Sequence, residues 1–134
     1  MHPGFHAAKN PEKPAYIMAA SGEVVTYAEL EAASNRGAHL FRQLGFGPQT
    51  HIALFMENHP RFLEVCWAAQ RAGLIYTAIS SRLSAPEALY IVRDCGARAL
   101  VTSRAMGDVA GELAAPLADL ERLNVGGRLA GYAS

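Results

Sequence analysis

Cysteine is scarce. Cys66 and Cys95 are the only two, far apart and in no CxxC pair. That excludes a disulfide-dense scaffold and a cysteine zinc knuckle. The favoured reading is two reduced, buried thiols in a cytoplasmic protein, with a disulfide or a catalytic thiol as the lesser one. Charge of one sign is missing as well: twelve Lys and Arg offset twelve Asp and Glu, so no positive field exists to hold nucleic acid. No apolar run approaches the roughly 18 residues that span a bilayer. The opening Met1-His-Pro-Gly-Phe-His has no basic segment ahead of an apolar one, so it does not read as a secretory signal. Phosphate-gripping glycine motifs are lacking too. Gly45-Phe-Gly-Pro48 and Val125-Gly-Gly-Arg128 precede no Lys-Ser/Thr, and neither lies between a strand and a helix. They read as a helix stop and a tail.

What is present is a globular composition, 51% hydrophobic and 18% charged over 134 residues, enough for one domain with a core. Residues 1–14 are polar and Pro-rich, an irregular lead in which Asn10 to Pro14 reads as a lead-in loop. Short β runs at Tyr16–Ala20 and Glu23–Thr26 flank Ser21-Gly22, which predicts a hairpin. Thr26 and Glu29 have the spacing of a capping box, and the helix they open carries Tyr27, Leu30, Ala33, Gly37, Leu40, Phe41 and Leu44 on one face. Gly45 stops it.

His51–Met56, Leu74–Ile79 and Arg98–Thr102 read as strands. Between them lie one helix started by Asn58 and Pro60 and ended by Gly73, and another capped by Ser84 and Glu87 and ended by Gly96. A last helix is expected over Asp108 to Leu120, broken at Pro116. Strand starts at 51, 74 and 98 with a helix in each gap give βαβαβ. The fold class is therefore α/β: a mostly parallel sheet with helices on both faces, preceded by a short β-hairpin. Residues 1–122 are expected to form this subdomain, and 123–134 a loosely held tail without apolar periodicity.

A parallel sheet offers ligands the loops after its strand C-termini. Three loops qualify: Glu57–Pro60, Ser80–Ser84 and Ser103–Gly107. Glu57-Asn58-His59 contains groups suited to acid–base work. The plainer reading has Asn58 capping a helix and His59 in solvent, with no nucleophile to activate. Ser80-Ser81-Arg82 could meet an anion at the next helix N-terminus, yet no glycine permits close backbone approach. The histidines at 2, 6, 39, 51 and 59 lack ligand spacing with a third donor, so no metal site is expected. The residues alone give an α/β domain without a self-contained active site. A free-standing module that binds a nucleotide or another ligand stays open, as does an oligomerisation domain.

Several segments in order resemble the start of the adenylate-forming superfamily, which includes acyl-CoA synthetases, luciferases and peptide-synthetase adenylation domains. They are Pro11–Ala15, Thr26-Tyr-Ala-Glu-Leu30, Ser34-Asn-Arg36, Leu44–Pro48, Leu54–Asn58, Pro60–Glu64, Ala68–Gly73, Arg82–Glu87 and Tyr90–Arg98. The likeness covers about residues 10 to 104, and Cys66–Ile79 is most similar to bacterial fatty-acyl-CoA synthetases. Two positions depart: many members have Gly-Asp near Gln49-Thr50 and Asn-Pro near Ser80-Ser81. The resemblance implies an AMP-forming acid–CoA ligase using ATP, magnesium and coenzyme A on a carboxylic, fatty acid substrate. The family's Ser/Thr/Gly-rich loop ending Gly-x-Pro-Lys-Gly, its aromatic-Thr-Glu motif, its ribose-binding Asp and its C-terminal lysine are not in this sequence. No catalytic, cofactor-binding or metal residue is therefore carried over, and the chain alone is expected to be inactive and to self-associate through apolar surface.

Overall fold

A computed structural model describes residues 2–126 and 128–133. The chain forms two compact units, one from residues 1–47 and 60–73 and the other from residues 48–59 and 74–134.

The first unit begins with a helix that the sequence reading missed. Here α1 spans Pro3–Lys9, where the polar, Pro-rich composition had suggested an irregular lead. Pro3 occupies the first helical position, where a missing N–H costs nothing. The hairpin follows, with β1 at Pro14–Ile17 antiparallel to β2 at Val24–Thr26. Its connection runs through Met18 to Glu23, longer than the expected two-residue turn, and is closed by Met18 N–H to the Glu23 carbonyl at 2.8 Å.

Next, α2 spans Tyr27–Gln43. Its capping box is complete: Glu29 N–H donates to Thr26 Oγ1, and Thr26 N–H donates to Glu29 Oε2. The buried stripe is Leu30, Ser34, Ala38 and Phe41. It is rotated from the expected face, and Leu40 is left 43% exposed. The small residues on this stripe let α3, Phe62–Arg71, approach closely. A Cβ on Gly37 would lie 2.6 Å from Ala68 Cβ.

The expectation that Asn58 caps α3 is corrected. The N-cap is Arg61, and it makes no side-chain cap bond.

The second unit is a four-stranded parallel sheet in the order β4-β3-β5-β6. Its strands are β3 His51–Phe55, β4 Ile75–Ile79, β5 Ala99–Ser103 and β6 Glu121–Val125. Register is continuous between β3 and β4, from His51 opposite Ile75 to Phe55 opposite Ile79. Ala53, Phe55, Ile79 and Leu100 pack with Ala85, Ala88 and Val92 of α4 (Ala85–Asp94), and with Leu113 of α5 (Gly107–Ala114) and Leu117. Ile52, Leu54 and Val101 alternate with these along the strands and are buried as well. The α/β class with a parallel sheet, flanking helices and a hairpin is what the structure contains.

Two boundaries move. The last helix ends at Ala114, and a 3-10 turn over Arg104–Met106 precedes it; Pro116, two residues on, has no N–H to bond back into the helix. The fourth strand lies across the boundary expected at 122/123: β6 pairs with β5 from Ala99–Glu121 to Ser103–Val125. The segment after it returns to the sheet. Asn124 N–H donates to the Ala133 carbonyl, and Ala133 N–H to the Arg122 carbonyl at 2.8 Å. Tyr132 hydroxyl donates to the Ala110 carbonyl at 2.7 Å, and burial pushes that phenol up to about 12. Gly127 and Ser134, both in the expected tail, lie outside the described residues.

Candidate functional site

The strand order reverses beside β3. The chain leaves β3 for β4 on one side, then crosses back to β5 on the other. In open parallel sheets the crevice at such a reversal, outside the strand C-termini, is where ligands gather. Two of the three candidate loops, Glu57–Pro60 and Ser103–Gly107, leave the sheet there.

The structure joins these two loops. Ser103 Oγ donates a short hydrogen bond to Glu57 Oε2, and Thr102 Oγ1 donates to the Phe55 carbonyl at 2.6 Å. Both hydroxyl residues are fully buried. The next strand adds Asn124, 4% exposed and in register with Thr102. Gly126 follows with φ +78°, and a Cβ there would sit 3.1 Å from His59 Nε2. A side chain at 126 would therefore be strained by its backbone and pressed against the imidazole.

The seam is polar and internally engaged. Ser103 is closed to solvent, and its hydroxyl proton is given to the Glu57 carboxylate. Glu57 is fixed by that hydroxyl. The chemistry available here is positioning: the contacts lock the β3 and β5 exits to each other. Sequence reasoning found both loops but not the Glu57–Ser103 contact, since 46 residues separate the partners and no local signal couples them.

The third loop is separate. Ser80 Oγ accepts from Arg82 N–H at 3.4 Å, and the N-terminus of α4 is filled by its own box. Ser84 Oγ donates to Glu87 Oε1 at 2.7 Å, and Ser84 N–H reaches the same oxygen at 3.3 Å. The hydrogen bonds from the Ser84 side chain and then its backbone hold the Glu87 carboxyl below the usual range. A carboxylate thus occupies the position an incoming phosphate would need. Among the described residues no group of three or more His, Cys, Asp or Glu could hold a metal ion.

Two further depressions are formed by the described residues. In the second unit Leu83, Pro86, Glu87, Tyr90 and Ile91 line an open groove of about 550 Å³. In the first unit Glu23, Glu29, Arg36 and Glu64 edge one of about 410 Å³ floored by Val24 and Val25. Burial first, then the Glu23 and Glu29 charges, raise the Glu64 carboxyl, against the lowering pull of Arg61 and Arg36.

Neither Cys66 nor Cys95 is in a disulfide. The first is buried, and the second donates weakly to the Val92 carbonyl at 3.4 Å. No helix of the described residues is long and apolar enough to cross a membrane.

The chain with this fold matches a known family. A family model described as AMP-binding enzyme matches residues 5–128, and the chain belongs to that family, within the adenylate-forming superfamily. The match extends beyond residues 10–104 on both sides. Among curated relatives, the long-chain fatty acid transport protein 1 of Bos taurus is 36% identical over 112 residues, covering 84% of this chain and 16% of its own length. The long-chain-fatty-acid–CoA ligase FadD13 of Mycobacterium tuberculosis is 30% identical over 95 residues, covering 71% and 19%. The solved fatty acyl CoA synthetase of Mycobacterium tuberculosis superposes with a TM-score of 0.81 at 26% identity, covering 93% of this chain and 25% of that one. This chain spans less than a fifth of the length of the two curated relatives named.

Proposed function

We propose that this chain is the N-terminal scaffold of an AMP-forming acyl-CoA synthetase and does not catalyse alone. The whole enzyme would join a carboxylic acid, in our reading a fatty acid, to the α-phosphate of ATP, releasing pyrophosphate. The coenzyme A thiol would then take the acyl group from AMP. The observation that carries this reading is the family match over residues 5–128.

Adenylyl transfer needs cationic and backbone donors aimed at developing phosphate charge, and magnesium to bridge it. The residues present do not fit that task. The α4 N-terminus holds the Glu87 carboxylate, and no metal-binding cluster exists among the described residues. No step of the reaction is therefore assigned to this chain. Its part is to fix the β3 and β5 exits through Glu57–Ser103 and Thr102–Phe55.

Two cysteines that are not joined in a disulfide support a cytoplasmic, reducing location. The exposed Ile17, Val24 and Tyr90 support self-association of the isolated chain, which light scattering would register as a loose, concentration-dependent mass. The polypeptide encoded by the whole reading frame should form fatty acyl-CoA from fatty acid, ATP and coenzyme A. A frame that stops after Ser134, with saturable ligand binding by the product, would favour a free-standing binding module instead.

A further inference from the structure

One residue takes the backbone groups on the outer side of β6. Glu121 N–H donates inward to the Arg98 carbonyl at 3.2 Å, so Glu121, Leu123 and Val125 bond toward β5 while Arg122 and Asn124 face away. On that outer side the Arg122 carbonyl accepts from Ala133 N–H, and Asn124 N–H donates to the Ala133 carbonyl. The result is a parallel bridge between Leu123 and Ala133.

The segment that brings Ala133 there is fastened along its length. Tyr132 hydroxyl donates to the Ala110 carbonyl of α5. Arg122 Nε donates to the Gly131 carbonyl at 2.8 Å, and Nη1 donates to the Leu117 and Leu120 carbonyls at 2.9 and 3.1 Å. One guanidinium thus ties the segment to the turn that feeds β6. Where the segment crosses α5 it meets small residues. A Cβ on Gly107 would lie 3.4 Å from Leu129 Cδ1, and one on Gly131, at φ +83°, would lie 2.9 Å from Ala114 Cβ. A side chain at 131 is therefore both strained and overpacked.

We propose that residues 128–133 are an edge strap: they occupy the outer side of β6 so that no strand of a second copy adds to the sheet there. A sheet edge is a template for another chain unless a charge, a proline, a bulge or a covering segment blocks it. Glu121–Val125 contains no proline. Its register with β5 runs unbroken, so no bulge turns it away. Arg122, its cation, is folded into the strap, and Glu121 stands at the strand's first residue. The covering segment is the device that remains.

Hydrogen exchange and sedimentation of the 134-residue chain test this, with Ala133→Pro, Gly131→Ala and Tyr132→Phe as variants. Ala133→Pro removes the N–H that the Arg122 carbonyl accepts and touches nothing in the β5–β6 ladder. In the wild type the Asn124 amide should be protected. In each variant, when dilute, it should exchange about ten-fold faster, the equivalent of one lost hydrogen bond, while the Leu123 amide facing β5 keeps its rate. As concentration rises, the variants should gain mass beyond the wild type, and protection of the Asn124 amide should return as a second copy's strand takes the strap's place. Association through Ile17, Val24 and Tyr90 would not restore that amide. The strap is refuted if the Asn124 amide exchanges freely in the wild type or stays protected in the dilute variants. It is equally refuted if the bared edge gains no partner at any concentration. Loss of Leu123 and Asn124 protection together in all three variants would also overturn it, since the segment would then hold β6 up rather than guard it.

Discussion

Arg71 Nε, on α3, donates to the hydroxyl of Ser34, on α2, across 2.9 Å. Ser34 is fully buried, and its own proton goes to the Glu31 carbonyl at 3.1 Å. The same guanidinium reaches Asn35 Oδ1 at 3.1 Å and forms an ion pair with Glu31. One side chain thus satisfies three acceptors on the neighbouring helix, a planar fork that an ammonium cannot reproduce. Arg71→Met should cost about 2 kcal/mol in urea unfolding, because a buried hydroxyl and a half-buried carboxylate lose their partner. Arg71→Lys should recover less than half of that loss.

The same helix pair meets at Gly37 and Ala68. A Cβ on Gly37 would fall 2.6 Å from Ala68 Cβ, closer than two carbons can approach. Alanine ordinarily favours a helix over glycine by about 1 kcal/mol. Here the overpacking penalty of about 1–3 kcal/mol should win. Gly37→Ala should lower the unfolding midpoint, and adding Ala68→Gly should restore most of it in a double-mutant cycle.

Gln49 is the one non-glycine among the described residues with positive φ, at +66°. An L side chain pays roughly 1–2 kcal/mol in that region, whereas glycine's extra chain entropy costs about 0.5–1 kcal/mol. Gln49→Gly should therefore stabilise the chain by up to about 1 kcal/mol. Thermal melts of the two proteins at one pH decide it.

Two glutamates give opposite pH behaviour. The Glu87 carboxyl is held low by its bonds to Ser84, so its contribution is present above the ordinary carboxylate range and lost as pH falls through its lowered value. Glu87→Gln should flatten the acid limb of the melting-temperature curve. Burial raises the Glu64 carboxyl, so the stability tied to its neutral form is present below the ordinary range and lost as pH rises through the raised value. Glu64→Gln should melt higher than wild type near neutrality, and the gap should close on acidification.

Much of this architecture was legible because its signals are local. Thr26 with Glu29 and Ser84 with Glu87 mark helix starts within four residues, and both boxes are formed. The strands at 51 and 99 have apolar runs that are buried on both faces, and the one at 75, on the sheet edge, has an apolar run that is only partly covered. Glu121–Val125 has no such run. It is a strand because β5 offers it an unpaired edge, a fact visible only in the pairing. Pro3–Lys9 is too short to show a helical period, and its aromatic contacts come from residues 27 and 67. Asn58 had the chemistry of a cap, but the chain turns through Pro60 before α3 begins. The Glu57–Ser103 pair depends on strand order, which no single loop encodes.

The central claim is that this polypeptide supplies framework while the groups that grip phosphate lie elsewhere in the enzyme. Fatty-acid-dependent exchange of labelled pyrophosphate into ATP by the purified 134-residue chain probes it most directly. Exchange at the level of a no-protein control is the result expected. Exchange that saturates with both fatty acid and ATP would contradict the account.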